Sequence, residues 1–257
     1  MTGPGIPAWR PAQAVVIGAG SGIGRFVAAE FAARGIPVRA LCRRPEAFGA
    51  EAADEVIDVR RCDVTDQDEL RRNLGGLGPD TVVVHTAAAR TPAAPIWECD
   101  PSDAFASLAT MVTSVWQTAH DCLKAMVEAD SGLLLLASSG AATKIAAARA
   151  TYSMGKAAVD QLVRVVGSEL QIAGSNAGIA AFYPGMVDTA MQRASRADAA
   201  RLRGTPFGRG LDSFTVDASS VLDPAIVADD IVGLAHRLPT DLNGAVWRLR
   251  GGEWSPV

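Results

Sequence analysis

The chain has 257 residues, 49% of them hydrophobic and 20% charged, which suits one large globular domain and excludes general disorder. Its formal net charge of −4 argues against a dedicated nucleic-acid binder, which usually carries a basic surface. No apolar run reaches the length of a membrane helix. The four cysteines form no CxxC pair, so we expect free thiols, no metal site and a cytoplasmic protein.

Short apolar runs alternate with longer stretches of helical periodicity along the chain. The predicted strands cover residues 14–17, 38–42, 55–59, 81–84, 133–137, 179–183 and 245–249. The predicted helices cover residues 22–34, 66–74, 102–129, 151–173 and 224–237. Strands separated by helices form βαβ units. The sequence therefore predicts an α/β protein with a single Rossmann-type domain, a doubly wound parallel β-sheet with helices on both faces.

Two segments show no regular pattern. Residues 1–13 are rich in proline and are predicted to form a loose N-terminal arm before one domain over residues 14–257. Residues 190–220 fit no clear element, and a long irregular segment of this kind is often a substrate lid. A lid with many arginines would favour an anionic substrate, although a solvated loop is the simpler interpretation. These arginines are Arg193, Arg196, Arg201, Arg203 and Arg209.

A glycine cluster, GAGSGIG over Gly18 to Gly24, joins the first predicted strand to the first predicted helix. Glycines at this place let the backbone turn tightly and let a pyrophosphate approach the helix N-terminus. A glycine cluster by itself also describes an ordinary tight turn. Its position between a strand and a helix favours the phosphate-binding interpretation.

Tyr152 and Lys156 are four residues apart on a predicted helix and so share one face. A nearby ammonium lowers the pKa of a phenol, which suits Tyr152 to proton transfer near neutral pH. The same spacing also occurs on solvated helix faces.

Ser138 and Ser139 follow the strand 133–137, at the carboxyl edge where parallel sheets bind ligands. A turn or helix cap is the alternative role for these serines.

Together these features resemble the short-chain dehydrogenase/reductase family over nearly the whole chain. The resemblance implies that Ser139 hydrogen-bonds a substrate carbonyl and that Tyr152 transfers the proton. It implies that Lys156 lowers the Tyr152 pKa and binds the nicotinamide ribose, and that Val187 and Thr189 hold the carboxamide. Further matches are the Asp63–Val64 pair, the PGxVxT motif and the terminal glycines Gly244, Gly251 and Gly252. The cofactor-binding residues implied in this way are Gly18, Ser21, Gly22, Ile23, Gly24, Asp63, Val64, Ala87, Tyr152, Lys156, Pro184, Gly185, Val187 and Thr189.

The chain departs from the family pattern at three places. Ile17 replaces the usual threonine before the first glycine, and the NNAG motif reads His85-Thr86-Ala87-Ala88. The helix asparagine of the catalytic tetrad has no match between Thr110 and Ser114. Its role would fall to Thr110, Thr113 or water, or turnover would be slow. His85 is a candidate acid or base, although a histidine bonded to backbone at a strand end is the simpler interpretation.

The end of the second strand bears on the choice of cofactor. An acidic residue there would bind the ribose 2′-hydroxyl of NAD. This chain has Cys42-Arg43-Arg44, whose two guanidinium groups suit a 2′-phosphate. Two solvated arginines are the alternative. Arg43 and Arg44 therefore favour NADP(H) over NAD(H).

The sequence predicts an NADP(H)-dependent oxidoreductase that interconverts a small carbonyl compound and an alcohol, with reduction as the default direction. The alternative from another class is a catalytically weak dinucleotide-binding sensor or scaffold. A dehydratase or epimerase is disfavoured by the glycine spacing and the short C-terminal part. No nucleic-acid or membrane partner is expected. Two apolar stripes, on helices 102–129 and 151–173, favour a homotetramer or homodimer, unless they belong to the core.

Overall fold

The computed structural model describes residues 9–46, 48, 56–208, 221–250 and 252–257. The strands are β1 Gln13–Ile17, β2 Val38–Cys42, β3 Ile57–Arg61, β4 Thr81–His85, β5 Leu133–Ala137, β6 Gly178–Tyr183, β7 Val246–Arg250 and β8 Glu253–Pro256. The helices are α1 Gly22–Ala33, α2 Gln67–Leu74, α3 Pro101–Leu108, α4 Ser114–Glu128, α5 Ala150–Ala173, α6 Ala190–Leu202, α7 Pro224–Leu234 and α8 Pro239–Leu242. A π-helical turn, Ala109–Thr113, joins α3 to α4.

The described strands form one sheet in the order β3-β2-β1-β4-β5-β6-β7-β8. Neighbours from β3 to β7 are parallel, and β8 pairs antiparallel with β7. The strand order reverses between β1 and β4, which makes a topological switch point at the carboxyl edge. The predicted Rossmann-type fold is thereby confirmed. We did not predict β8, because its residues EWSP are mostly exposed and show no apolar pattern.

The sheet is buried on both faces, and successive residues of one strand enter opposite cores. Ala14 and Val16 of β1 pack with α1 and α7, whereas Val15 and Ile17 pack with α2, α4 and α5. Every residue of β4 is buried, as its continuous apolar run predicts. Helices therefore cover both faces of the sheet, which directs a ligand to the carboxyl edge.

Local signals account for several helix ends. Asp66 caps α2 by accepting hydrogen bonds from the N–H groups of Asp68 and Glu69. Asp100 caps α3 by accepting a hydrogen bond from the Ser102 N–H, with Pro101 in the first turn of the helix. Helix α1 ends before Gly35, which has a φ of +71° and allows the left-handed turn there.

Four sequence predictions need correction. Strand β3 begins at Ile57, later than the predicted residue 55, and residue 55 itself lies outside the described part of the chain. Residues 190–202, expected to be irregular, form α6; its buried residues Asp198, Ala199 and Leu202 are too few and too polar to give a periodic signal. The helix predicted over 102–129 is broken by the π turn. The last predicted helix ends at Leu234, and not at residue 237.

Parts of the predicted arm, lid and C-terminal motif fall outside the described residues, namely residues 1–8, 209–220 and 251. Arg209 and Gly251 are among them. From Trp9 onward the chain contacts the domain, because the Trp9 indole N–H donates to Asp80 Oδ1 at 3.0 Å.

All four cysteines are free thiols. Of the described helices, none has the length and apolar character needed to cross a membrane.

Candidate active site

A cleft of ≈ 510 Å³ opens at the carboxyl edge of the sheet, at the switch point between β1 and β4. It is bounded by the glycine turn, by the ends of β2 to β5, by α5 and by the segment after β6. The predicted site residues that line it are Gly18, Ser21, Gly22, Ile23, Gly24, Arg43, Arg44, Asp63, Val64, Ala87, Tyr152, Lys156, Pro184 and Thr189. Ser139 and Gly185 directly follow lining residues, and Val187 lies between the lining residues Pro184 and Thr189, but none of the three is in the lining itself.

The glycine turn is closed so tightly that side chains are excluded from it. Gly18 has a φ of +86°, and a Cβ there would lie 2.6 Å from the backbone N of Ala87. A Cβ on Gly24 would lie 2.5 Å from the Gly18 carbonyl oxygen. Ser21, the N-cap residue of α1, makes no side-chain cap hydrogen bond, so its side chain does not occupy the N–H groups in the first turn of α1. This cradle fits a dinucleotide pyrophosphate at the positive end of a helix.

Positive charge lies at the β2 end of the cleft. Arg43 and Arg44 are exposed and line it, and no carboxylate directly follows the strand. Asp63, the acid among the predicted cofactor-binding residues, follows β3 and accepts hydrogen bonds from the N–H and the hydroxyl of Thr65 at 3.0 and 2.7 Å. These hydrogen bonds, with help from the charges of Arg43 and Arg61, hold the pKa of the Asp63 carboxyl below its usual range. Asp63 is therefore an ionised group tied to its own loop.

Tyr152 and Lys156 occupy one face of α5, as their spacing predicts. The Lys156 ammonium lies 5.8 Å from the centroid of the Tyr152 ring and donates to the Ala137 carbonyl at 2.7 Å. Burial lowers the Lys156 pKa to about 8, against an opposing effect of Asp160. Ser139 forms a hydrogen bond with the Tyr152 hydroxyl. The catalytic groups expected from the sequence thus meet at the end of β5.

The expected lowering of the Tyr152 pKa by Lys156 is not found. Burial raises the Tyr152 pKa, and the two opposing influences are the hydrogen bond with Ser139 and the charge of Arg149. Arg149 was not predicted as a site residue. The reason for the difference is that desolvation of the phenolate outweighs the attraction of a nearby ammonium.

A buried carboxylate that we did not predict ties three elements of the site together. Asp160, one turn after Lys156 on α5, accepts hydrogen bonds from the hydroxyls of Ser138, at 2.5 Å, and of Tyr183. The Ser138 hydroxyl also approaches the Lys156 carbonyl oxygen at 3.3 Å. The ends of β5 and β6 are thereby joined to the helix of Lys156. The sequence offers one indication of this role, because Asp160 is a charged residue at a position of α5 that faces the core.

His85 lies buried at the end of β4, with its Nε2 3.3 Å from the Ser114 hydroxyl oxygen. That hydroxyl donates its one proton to the Thr110 carbonyl at 2.6 Å, so Nε2 is the donor to Ser114. Burial and the charge of Lys156 lower the His85 pKa to about 3, which keeps the ring neutral. A backbone hydrogen bond opposes this lowering, in line with the simpler interpretation of His85, and Ser114 is an additional side-chain partner. His85 is therefore no proton donor in the imidazolium form at neutral pH.

The π-helical turn Ala109–Thr113 occupies the segment where the tetrad asparagine is missing. Thr110, within this turn, lines the cleft. π turns inside α-helices are frequent at functional sites.

Two further threonines lie at the cleft. Thr86 donates to the Ile17 carbonyl at 2.9 Å, and Thr189 caps α6 by accepting from the Gln192 N–H at 3.2 Å. Thr86 was not predicted, although it follows a buried parallel strand.

The chain matches known proteins along most of its length. The family model of the short chain dehydrogenases matches residues 12–200. Cis-4-hydroxycyclohexanecarboxylate dehydrogenase from Sinomonas cyclohexanicum is 30% identical, over 93% of this chain and 95% of that protein. 2-(R)-hydroxypropyl-CoM dehydrogenase from Xanthobacter autotrophicus (strain ATCC BAA-1158 / Py2) is 29% identical, over 93% of this chain and 96% of that protein. Among solved structures, a single-substitution variant of actinorhodin polyketide ketoreductase with NADPH has a TM-score of 0.79 and 26% identity, covering 94% of this chain and 97% of that chain.

Proposed function

Because this chain belongs to the short-chain dehydrogenase family, whose members are NAD(P)-dependent oxidoreductases, we propose that it is an NADP(H)-dependent carbonyl reductase. The observation that carries the proposal is the site at the carboxyl edge of the sheet. There Tyr152 and Lys156 line the same cleft as Arg43 and Arg44. Proton-transfer groups thus share one cleft with a cationic group suited to a 2′-phosphate.

The cofactor contacts follow from the cleft. Gly18, Gly22 and the start of α1 would hold the pyrophosphate. Arg43 and Arg44 would bind the 2′-phosphate. Pro184 and Thr189, which also line the cleft, would hold the nicotinamide carboxamide. Gly185 and Val187 belong to the same segment after β6 but do not line the cleft. When bound, the dinucleotide supplies the hydride, which is chemistry that amino-acid side chains do not provide.

The side chains supply a proton and orientation. Ser139 and Tyr152 bind the carbonyl oxygen of the substrate, and Tyr152 transfers its proton to the developing alkoxide. Its raised pKa keeps the hydroxyl protonated at neutral pH, which suits reduction. Lys156, with a pKa of about 8, is mostly protonated at pH 7, and its ammonium would hold the nicotinamide ribose. The NADPH named with the actinorhodin ketoreductase structure supports the same cofactor and direction here.

The cofactor preference is tested with Arg43→Asp. The change replaces a phosphate-binding cation by an anion, so the ratio of kcat/KM for NADPH to that for NADH should fall on the order of 10- to 100-fold, the size of one or two charge-assisted hydrogen bonds. Arg72→Asp, at an exposed position on α2, changes the net charge equally and is the control. A wild-type protein that prefers NADH would contradict the proposed cofactor.

A further inference from the structure

Arg149 lies at the start of α5, three residues before Tyr152, and its donors are only partly used. Its Nη1 donates to the Ser195 hydroxyl at 3.2 Å, and its Nη2 donates to the Ser195 carbonyl at 3.3 Å. Both acceptors are neutral groups on α6. The Arg149 Nε is buried and has no hydrogen-bond partner. A buried N–H without a partner is costly and is rare in native proteins.

The charge of Arg149 is also unpaired among the described residues. The closest acid on α6, Asp198, is already bound by Arg90 at 2.5 Å and by Arg201 at 3.8 Å. Asp198 raises the pKa of the Arg149 guanidinium only at longer range, and burial, the largest influence, lowers that pKa. A cation that loses water without gaining an anion is destabilised. The site therefore has a positive charge for which the described part of the chain offers no counter-ion.

The backbone immediately before Arg149 has an unusual conformation. Ala148, immediately before Arg149, has a φ of +60°, a conformation that costs free energy for alanine and is typical of functional sites. The Ala148 carbonyl is held by the Ala94 N–H at 3.1 Å. The charge of Arg149 reaches the Tyr152 hydroxyl, whose pKa it lowers. Arg149 is thus held within electrostatic range of the group that protonates the substrate.

We propose that Arg149 is the binding residue for an acidic oxyanion of the substrate, so that the protein reduces ketones that carry a carboxylate or a similar group. The inference deepens the carbonyl reductase function and rests on it. Arg149, the N-cap residue of α5, comes three positions before Tyr152, and the charge of its guanidinium acts on the Tyr152 hydroxyl. A substrate whose anionic group is a few bonds from its carbonyl would reach both residues. Arg90 and Arg201 are occupied in holding α6 through Asp198, whereas Arg149 Nε has no partner among the described residues.

The test compares 4-oxopentanoate with its methyl ester, which share the carbonyl and differ in one charge. We expect wild-type protein to have the higher kcat/KM for the acid. In Arg149→Met the ratio of kcat/KM for acid to ester should fall roughly 10- to 100-fold, as for loss of hydrogen bonds to a charged group. Arg149→Lys keeps the charge and should recover part of the ratio.

Two controls separate anion binding from other roles of this residue. Arg203→Met removes an exposed charge from the end of α6 and should leave the ratio unchanged. Ser195→Ala removes the neutral hydroxyl partner of Arg149 and should also keep the preference for the acid. If Arg149→Met lowers the rates for acid and ester by the same factor, Arg149 only attaches α6 and the inference is wrong.

A binding measurement keeps the inference independent of turnover. Saturation-transfer NMR with pentanoate should detect binding to wild-type protein and its loss in Arg149→Met. Equal binding to both proteins would overturn the inference even if ketones are reduced. Conversely, reduction of the ester that disappears in Tyr152→Phe supports the reductase function whatever happens at Arg149. Absence of reduction with either compound, together with Arg149-dependent pentanoate binding, would reject the reductase function and retain the anion site.

Discussion

At the residue scale, opposing effects act on the proton of Tyr152. Burial raises its pKa, whereas the Ser139 hydrogen bond and the Arg149 charge lower it. Lys156 is itself a desolvated group with a pKa lowered to about 8, and Asp160 partly offsets that effect. The proton-transfer groups are therefore tuned mainly by how far they are removed from water, and secondly by charges one turn away on α5.

The first prediction concerns the proton donor. Tyr152→Phe keeps the ring and removes the hydroxyl, so carbonyl reduction should fall by roughly 10²–10⁴ while the cofactor still binds. Steady-state NADPH oxidation and fluorescence titration of NADPH measure the two effects. Turnover close to the wild-type rate would mean that another group donates the proton. His85, with a pKa of about 3, is a poor candidate for that role.

The second prediction concerns Asp160. Its charge raises the Lys156 pKa, so Asp160→Asn should lower that pKa below about 8. The ammonium is then lost at lower pH, and the decline of kcat/KM on the alkaline side should move towards neutral pH. Tyr183→Phe removes a hydrogen-bond donor to Asp160 but leaves its charge, and is the matched control. A purely structural role for Asp160 would lower activity at every pH without moving the profile.

At the element scale, α5 carries most of the active site and is fixed by a close backbone contact near its C-terminal half. A Cβ on Gly167 would lie 2.3 Å from the Cα of Gly244, which precedes β7. Asn243 donates to the Gly167 carbonyl at 2.8 Å across the same contact. Because backbone faces backbone, neither side can yield by changing a rotamer. This contact sets the position of α5, and with it that of Tyr152, against the sheet.

Two glycine substitutions test this contact. Gly167→Ala should destabilise the protein by about 1–3 kcal/mol, since the added methyl group overlaps the Gly244 backbone. Gly233→Ala, in α7, meets no atom within 4 Å and should stabilise it by a few tenths to about 1 kcal/mol through helix propensity. Urea unfolding followed by circular dichroism gives both values. Equal effects of the two substitutions would show that α5 does not rely on this close approach.

At the scale of the whole molecule, the apolar stripe of the first long helical segment belongs to the core. Its five residues, Met111, Val115, Ala119, Cys122 and Met126, are all buried within one chain. The argument for an oligomer from this stripe is therefore wrong. Other residues of the same segment support an interface, because Phe105 is 70% and Trp116 56% exposed. On α5, Val165 and Ile172, seven residues apart on one face, are also exposed.

We still expect a homodimer or homotetramer that covers these exposed side chains. Trp116→Glu should dissociate it, because a charge in an apolar interface has no partner and is costly to bury. Light scattering after size exclusion measures the mass. Trp97→Glu, at another exposed tryptophan outside the two helices, is the control and should leave the mass unchanged. A wild-type mass near 26.7 kDa, the mass of one chain, would show that Phe105 and Trp116 are exposed to solvent and form no interface.

Local patterns in the sequence determined the fold class and the position of most elements. The buried strands, the glycine turn and the caps at Asp66 and Asp100 depend on residues close together in the chain, so their signals survive without tertiary structure. The Tyr152–Lys156 pair was readable for the same reason. The resemblance to the short-chain dehydrogenases also indicated Ser139, although the hydrogen bond between Ser139 and Tyr152 joins residues on either side of a loop.

Tertiary structure alone decided the surroundings of those residues. The contacts of Asp160 with Tyr183, of His85 with Ser114 and of Arg149 with Ser195 join segments separated by 23, 29 and 46 positions. Hydrophobic periodicity in the sequence gives no information about contacts between residues so far apart in the chain. Burial likewise reversed the expected direction of the Tyr152 pKa, because desolvation depends on every element packed around the hydroxyl. The sequence thus determined which groups meet at the carboxyl edge, and packing decided their charge and their remaining partners.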